Sequence, residues 1–177
     1  AGQRFPDPEP TIMLVARAED SQTLDRLVRF TNNQSWQNFT LFVQASFDVS
    51  MEGLPKRIQL MGDDFFIQDF NPVLKKYDFF GHLDPRAAYG PHYLQDLVNA
   101  SRYAPEAEVL GKSPGDDHFD FDQPVHGYAC VKKTSGFSGT PSLRPAQPVL
   151  QGPKIFCLDA AQFRPSDILV PNQWGKS

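Results

Sequence analysis

Apolar and polar positions follow a strand-and-helix rhythm over the first two thirds of the chain. Thr11-Ile12-Met13-Leu14-Val15 is a near-continuous apolar run, the pattern of a strand covered on both faces. Glu19 and Asp20 follow, acidic residues suited to a helix N-terminus. Leu24, Leu27 and Val28 then recur at the i, i+3, i+4 spacing that gives a helix one buried face. Asn32-Asn33 predicts the end of that helix, because Asn tolerates a left-handed C-cap. Phe39-Thr40-Leu41-Phe42-Val43 reads as a second strand. Two buried strands joined by a helix within about 30 residues are expected to lie parallel and adjacent.

Further strands are expected at 57–61, 77–83, 109–110, 125–131 and 155–158. A broken helical stretch at 64–76 is interrupted by Pro72. Another helix begins at Pro91, the favoured first-turn position for proline, with Leu94, Leu97, Val98 and Ser101 on its buried face. The fold class is α/β, with a mostly parallel central sheet. Residues 1–10, with Pro6, Pro8 and Pro10, read as an extended arm. Residues 11–165 form one domain, in which 113–153 is rich in Gly, Pro and Ser and loop-dominated, and 166–177 are a tail. The Gly/Pro-rich stretch 134–153, with Phe137 in it, is expected either to close over a ligand or to dock another chain.

In open α/β sheets ligands bind beyond the carboxyl ends of the strands. That rule points to Ala16 to Asp20 after the first strand, Gln44 to Asp48 after the second, and Asp84 to Tyr89 after the strand at 77–83; within them Ala16, Arg17, Glu19, Gln44, Asp84 and Arg86 are the candidate binding residues. Composition narrows the function little. The 177 residues are 40% hydrophobic and 21% charged, with a net charge of −4, which suits a folded domain and offers no basic face for nucleic acid. No apolar run reaches the ~20 residues of a membrane-spanning helix. The two cysteines, Cys130 and Cys157, each stand in an apolar run and read as buried thiols rather than a bridge, which fits a cytoplasmic setting.

The order of the pieces resembles the opening of inverting, GT-A-type glycosyltransferases. The likeness lies in the helix followed by Asn33-Gln34-Ser35-Trp36-Gln37-Asn38-Phe39 leading into a strand. It continues in Leu83-Asp84-Pro85-Arg86-Ala87-Ala88-Tyr89-Gly90-Pro91-His92-Tyr93-Leu94, where members of the family carry Leu-Asp-x-Asp-Asp, an aromatic, a proline and a Tyr-Leu helix start. It spans roughly residues 10–112, and 155–163 fit a later strand. The resemblance implies a GT-A-like fold, a nucleotide-sugar donor and a glycan or lipid-linked acceptor. The short chain implies a module of a glycan or polysaccharide pathway or one domain of a larger protein.

The chain departs from the family at two positions. Gln44-Ala45-Ser46 stand where an acidic residue meets the nucleoside, so a hydrogen-bonding group remains without its charge. Asp84 keeps one carboxylate of the pair that would hold Mg²⁺ or Mn²⁺, and Arg86 occupies the position of the other; a guanidinium cannot ligate a cation and repels one. Either Arg86 replaces the metal and grips the diphosphate by its fork, or the site has decayed and Arg86 pairs with Asp84 or an acidic neighbour. No metal is therefore assigned. The general base of an inverting transfer is sought past this loop, in Asp116, Asp117, Asp120 and Asp122, with Asp116 and Asp117 foremost; the same run also reads as a solvated acidic loop. His118 among these aspartates raises metal ligation or metal-dependent hydrolysis as a remote alternative. His82 reads as a satisfied core residue, and Asp63-Asp64 as a turn. The chain contains no nucleophile elbow, phosphate loop or dinucleotide fingerprint. The competing class is a non-catalytic binding module that retains the fold.

Overall fold

The computed structural model describes residues 9–65, 70–113, 119–137, 142–159 and 161–166. The first apolar run becomes β1 (Ile12–Ala18), in which every residue except Arg17 is buried. It pairs in parallel with β2 (Phe39–Ala45) on one side and β4 (Phe79–His82) on the other, so that Leu14 lies between Leu41 and Gly81. β3 (Ile58–Leu60) extends this parallel half beyond β2. The complete order adds β9 (Cys130–Lys133), β6 (Val109–Lys112), β11 (Ile155–Leu158) and β7 (Asp120–Phe121) beyond β4. β9 and β7 run against the rest. The result is a mixed α/β domain around a large, mostly parallel sheet.

One face of the sheet, carrying Ile12, Leu14 and Leu41, packs against α1 (Ser21–Asn33) through Leu24, Leu27 and Phe30, and against α3 (Tyr93–Tyr103) through Leu94, Leu97 and Val98. The other face, carrying Met13, Val15 and Phe80, is covered by α2 (Phe70–Leu74), Phe137 and Leu143. α2 contains Pro72 and lies within the expected broken helix at 64–76, of which residues 66–69 lie outside the described set. So do residues 1–8 of the expected arm and the tail beyond 166. Both cysteines are free and buried, as the apolar runs around them predict; burial pushes the Cys130 thiol up to about 12 and that of Cys157 up to about 11.

Three local expectations change. α1 ends at Asn33, but its cap is Gln34 in extended backbone (φ −68°), with no left-handed asparagine. Gln34 is 2% exposed and clamps the start of the next helix: its Nε2 donates to the Gly90 carbonyl at 2.8 Å, and its Oε1 accepts from the Leu94 amide at 3.1 Å. The second contact satisfies one of the orphan amides of a helix N-terminus. α3 therefore starts at Tyr93, after Pro91, with Ser101 at the margin of its buried face. Finally, 125–131 is two strands. β8 (Val125–His126) pairs with β10 (Val149–Leu150), and the chain turns at Gly127-Tyr128 before entering β9. A Cβ on Gly127 would collide with the Gln147 carbonyl, so the turn depends on glycine there.

Candidate functional site

The carboxyl ends of β1 and β4 open into a cleft of about 230 Å³ lined by Arg17, Glu19, Asp84, Arg86, Tyr128 and Arg144. Arg17 shares the sheet face of Met13 and Val15 but stands near the carboxyl end of β1, where it is the strand's one exposed residue. Glu19 stands at the turn into α1, whose start is fixed by a reciprocal box: Asp20 Oδ1 accepts from the Thr23 amide at 2.8 Å, and Thr23 Oγ1 accepts from the Asp20 amide at 3.2 Å. Hydrogen bonding from Thr23, its backbone amide foremost and then its side chain, holds the Asp20 carboxyl below its ordinary value.

The turn after β4 is built around Asp84, which is 6% exposed. Its Oδ1 accepts from the Arg86 amide at 2.9 Å and its Oδ2 from the Ser166 hydroxyl at 3.2 Å, while the Ala87 amide closes the turn onto the Asp84 carbonyl at 3.0 Å. The Asp84 amide donates to the Tyr89 hydroxyl at 3.0 Å, which itself donates to the Tyr128 carbonyl at 2.7 Å. Burial keeps the Tyr89 phenol protonated far above its ordinary range and raises that of Tyr128, so at neutral pH Tyr128 offers the cleft a hydrogen-bond donor. Tyr89 also stacks against Phe163 of β12 (Phe163–Arg164), which pairs with β5 (Ala88–Tyr89) and braces the turn from outside.

With Asp84 tied inward, the outward charge comes from arginine. Arg86 Nη2 meets Glu19 Oε2 at 3.0 Å, with side chains 38% and 48% exposed. A pair this wet contributes about 0–1 kcal/mol, so an anionic ligand can displace Glu19 from the guanidinium at little cost. Arg17 and Arg144 are exposed on the same cleft. A second hollow of about 580 Å³ shares Thr23 and Arg86 and adds Arg26 and Arg164.

The donor set suits an anion better than a divalent cation. Mg²⁺ asks for carboxylates free to turn toward it. Both oxygens of Asp84 already accept hydrogen bonds, the Arg86 guanidinium faces Glu19, and the described residues contain no group of three or more His, Cys, Asp or Glu able to hold a metal.

Of the residues expected from sequence, Arg17, Glu19, Asp84 and Arg86 come together in this cleft. Ala16 is fully buried in the core beneath it and offers a ligand no surface. Gln44 pairs with Arg17 in the sheet register, but its Nε2 donates to Asp63 Oδ1 at 2.8 Å, away from the cleft lining. Asp116, Asp117 and His118 lie outside the described residues. Asp120 and Asp122 belong to the edge strand β7 and the turn after it, four strand positions from β4. That is about 19 Å at the usual inter-strand spacing, so neither serves this cleft. Thr23, Tyr128, Leu143 and Arg144 line it without having been expected; the Gly/Pro-rich composition around 134–153 was the one sequence signal for the last two.

The class defined by the fold is α/β, with a mostly parallel sheet and a cleft at the carboxyl ends of β1 and β4. The crystal structure of TarS from S. aureus, a glycosyltransferase, is similar to this chain with a TM-score of 0.55 and 10% sequence identity. The match covers 86% of this chain and 36% of TarS, so the chain corresponds to about a third of that protein's length. The likeness is one of fold. No family model matches the chain, and no curated protein matches it in sequence. No helix among the described residues is long and apolar enough to cross a membrane.

Proposed function

We propose that this domain binds a nucleotide sugar, with the donor's diphosphate held by Arg17, Arg86 and Arg144 in place of a divalent cation. The observation that carries this reading is the inversion at the turn after β4: the carboxylate is tied inward and arginines face the cleft. Guanidinium forks match phosphate oxygens two at a time, and Tyr128 adds a neutral donor. The cleft of about 230 Å³ is below the ~300–1,000 Å³ usual for a whole ligand, so it suits the diphosphate, with the rest of the donor reaching toward the hollow beside Arg26 and Arg164. The domain then acts as a glycosyltransferase-like module toward a glycan or lipid-linked acceptor, within a larger protein or assembly. For the inverting displacement, Asp116 or Asp117 is proposed as the base, on the family resemblance alone.

A second reading, a binding module without transfer, draws on the Glu19–Arg86 pair, the neutralised arrangement expected of a decayed site. Thermal unfolding and calorimetry against a panel of UDP-, GDP- and other nucleotide sugars, with EDTA present, test the proposal. A donor at one hundred times its Kd stabilises by about 2.7 kcal/mol, raising Tm by about 5–10 °C for a chain of this size. Arg86→Ala should abolish the shift. A flat response across the panel, or a shift that requires Mn²⁺, refutes the arginine site. Binding without release of free nucleotide in the presence of acceptor decides for the module.

A further inference from the structure

We propose that His82 is a positioning residue that straps the 142–150 segment over the sheet and thereby delivers Arg144 to the cleft. The inference rests on the anionic-donor reading above for its purpose and on independent contacts for its geometry. His82 is the last residue of β4, two residues before Asp84, and shares the Phe80 face of the strand, with the two rings 5.0 Å apart. Its Nε2 lies 2.8 Å from the Ser142 carbonyl, so the ring holds its proton on Nε2 and donates it there. Ser142 passes the constraint on: its hydroxyl donates to the Arg144 carbonyl at 2.5 Å and accepts from the Arg144 amide at 3.4 Å. Leu143, between them, packs on the apolar cluster that contains Phe80 and Phe70.

The strap stands over a hollow of about 370 Å³ lined by His82, Phe137, Lys132 and Gln147. Arg144 lines both this hollow and the cleft, so it is the point where the strap crosses from one face of the sheet to the carboxyl rim. The contacts that locate this segment over the cavity include Leu143 on the core, the Gly127 amide donating to the Pro148 carbonyl at 2.7 Å, the β8–β10 pair at Val149 and Leu150, and His82, which holds its Ser142 end. A phenylalanine at position 82 would pack against Phe80 equally well without the penalty of burying a polar ring. What imidazole adds is one directed hydrogen bond, and that bond goes to the residue that orients Arg144.

The test compares the wild type with His82→Phe, which keeps the ring packing and drops the donor, and His82→Gln, whose amide places an N–H where Nε2 stood. Two readouts are taken: amide hydrogen exchange over 142–150, and affinity for inorganic pyrophosphate with EDTA present, used as the probe for the diphosphate site. His82→Phe should accelerate exchange in the strap and weaken pyrophosphate about tenfold, the size of one lost charge-assisted contact, and His82→Gln should restore both. Arg144→Ala should show the same loss of affinity, and adding His82→Phe to it should produce no further loss, because both act through one contact. Unchanged strap exchange in His82→Phe, or additive losses in the double variant, overturns the proposal while leaving the cleft reading intact. A wild type that binds pyrophosphate at no accessible concentration refutes the cleft reading, and with it the purpose of the strap, while the exchange data still decide whether His82 anchors it.

Discussion

Lys112 closes β6 with a side chain that is 1% exposed, and its ammonium meets Asp96 Oδ2 at 2.8 Å and Asp159 Oδ1 at 3.4 Å. This triad ties the carboxyl ends of β6 and β11 to the first turn of α3. Replacing Lys112 by Met retains most of the stem volume and deletes the charge, leaving two carboxylates facing each other. Removing one member of a fully buried pair costs about 3–5 kcal/mol. The two aspartates are 32% and 30% exposed, so water re-screens part of the damage and the expected loss is about 2–3 kcal/mol. In a chain of this size that lowers Tm by about 5–10 °C. Urea unfolding of Lys112→Met, read by far-UV circular dichroism, gives the number. Adding Asp96→Asn and Asp159→Asn should recover more than half of the loss, because the unpaired charges, and not the missing stem, cause it. A loss below about 1 kcal/mol, or a triple variant no more stable than Lys112→Met alone, refutes the electrostatic account.

Two further outcomes follow from the same sheet. Gly81→Ala should destabilise by about 1–3 kcal/mol, because the new methyl would sit 2.8 Å from the Cys130 carbonyl and 3.0 Å from Val131 Cγ1, and a backbone cannot move aside as a flexible side chain can; an unchanged urea midpoint would contradict the close approach of β4 and β9. Burial holds the imidazoles of His82 and His126 down to about 4, so both are neutral in the folded protein at pH values where the unfolded chain takes up protons. Stability should therefore be complete above about pH 6.5 and fall as the pH drops toward 4, with His82 contributing at most about 2 kcal/mol of loss between pH 6.5 and 5. Urea titrations at these pH values should show a shallower decline in His82→Gln, and an identical slope would refute the assignment.

The β1–α1–β2 unit was legible because each signal there is local: an apolar run, acids at a helix start, one buried stripe. The elements that were misjudged are those decided by distant partners. Gln34 ends α1 through contacts with Gly90 and Leu94, more than fifty residues away, and the same contacts hold Gly90-Pro91 outside α3. The Asn33-Gln34-Ser35-Trp36 stretch thus contributes to the resemblance as a clamp between helices. The 125–131 run hid a turn because Gly127 is demanded by the Gln147 carbonyl, which no periodicity reveals. For the site, strand-end geometry found Arg17, Glu19, Asp84 and Arg86. It missed Tyr128, which reaches the cleft from the turn between β8 and β9, and Arg144, which reaches it from the segment that His82 and Ser142 bond.

The position of β9 has a consequence for how this chain comes to be folded. β4 and β6 are successive long strands of the sheet in chain order, yet they do not touch; each bonds to β9, which arrives some twenty residues after β6 has been made. Until Cys130–Lys133 slots in as a keystone, the first half of the nascent sheet, β3-β2-β1-β4, ends in a raw edge at Phe79–His82, and the second half is present only as β6, whose partners β9 and β11 both come later in the chain. Assembly of the two halves is therefore a late, long-range event, and ribosome-bound chains that have not yet emerged past Lys133 are the form most in need of a chaperone's shelter.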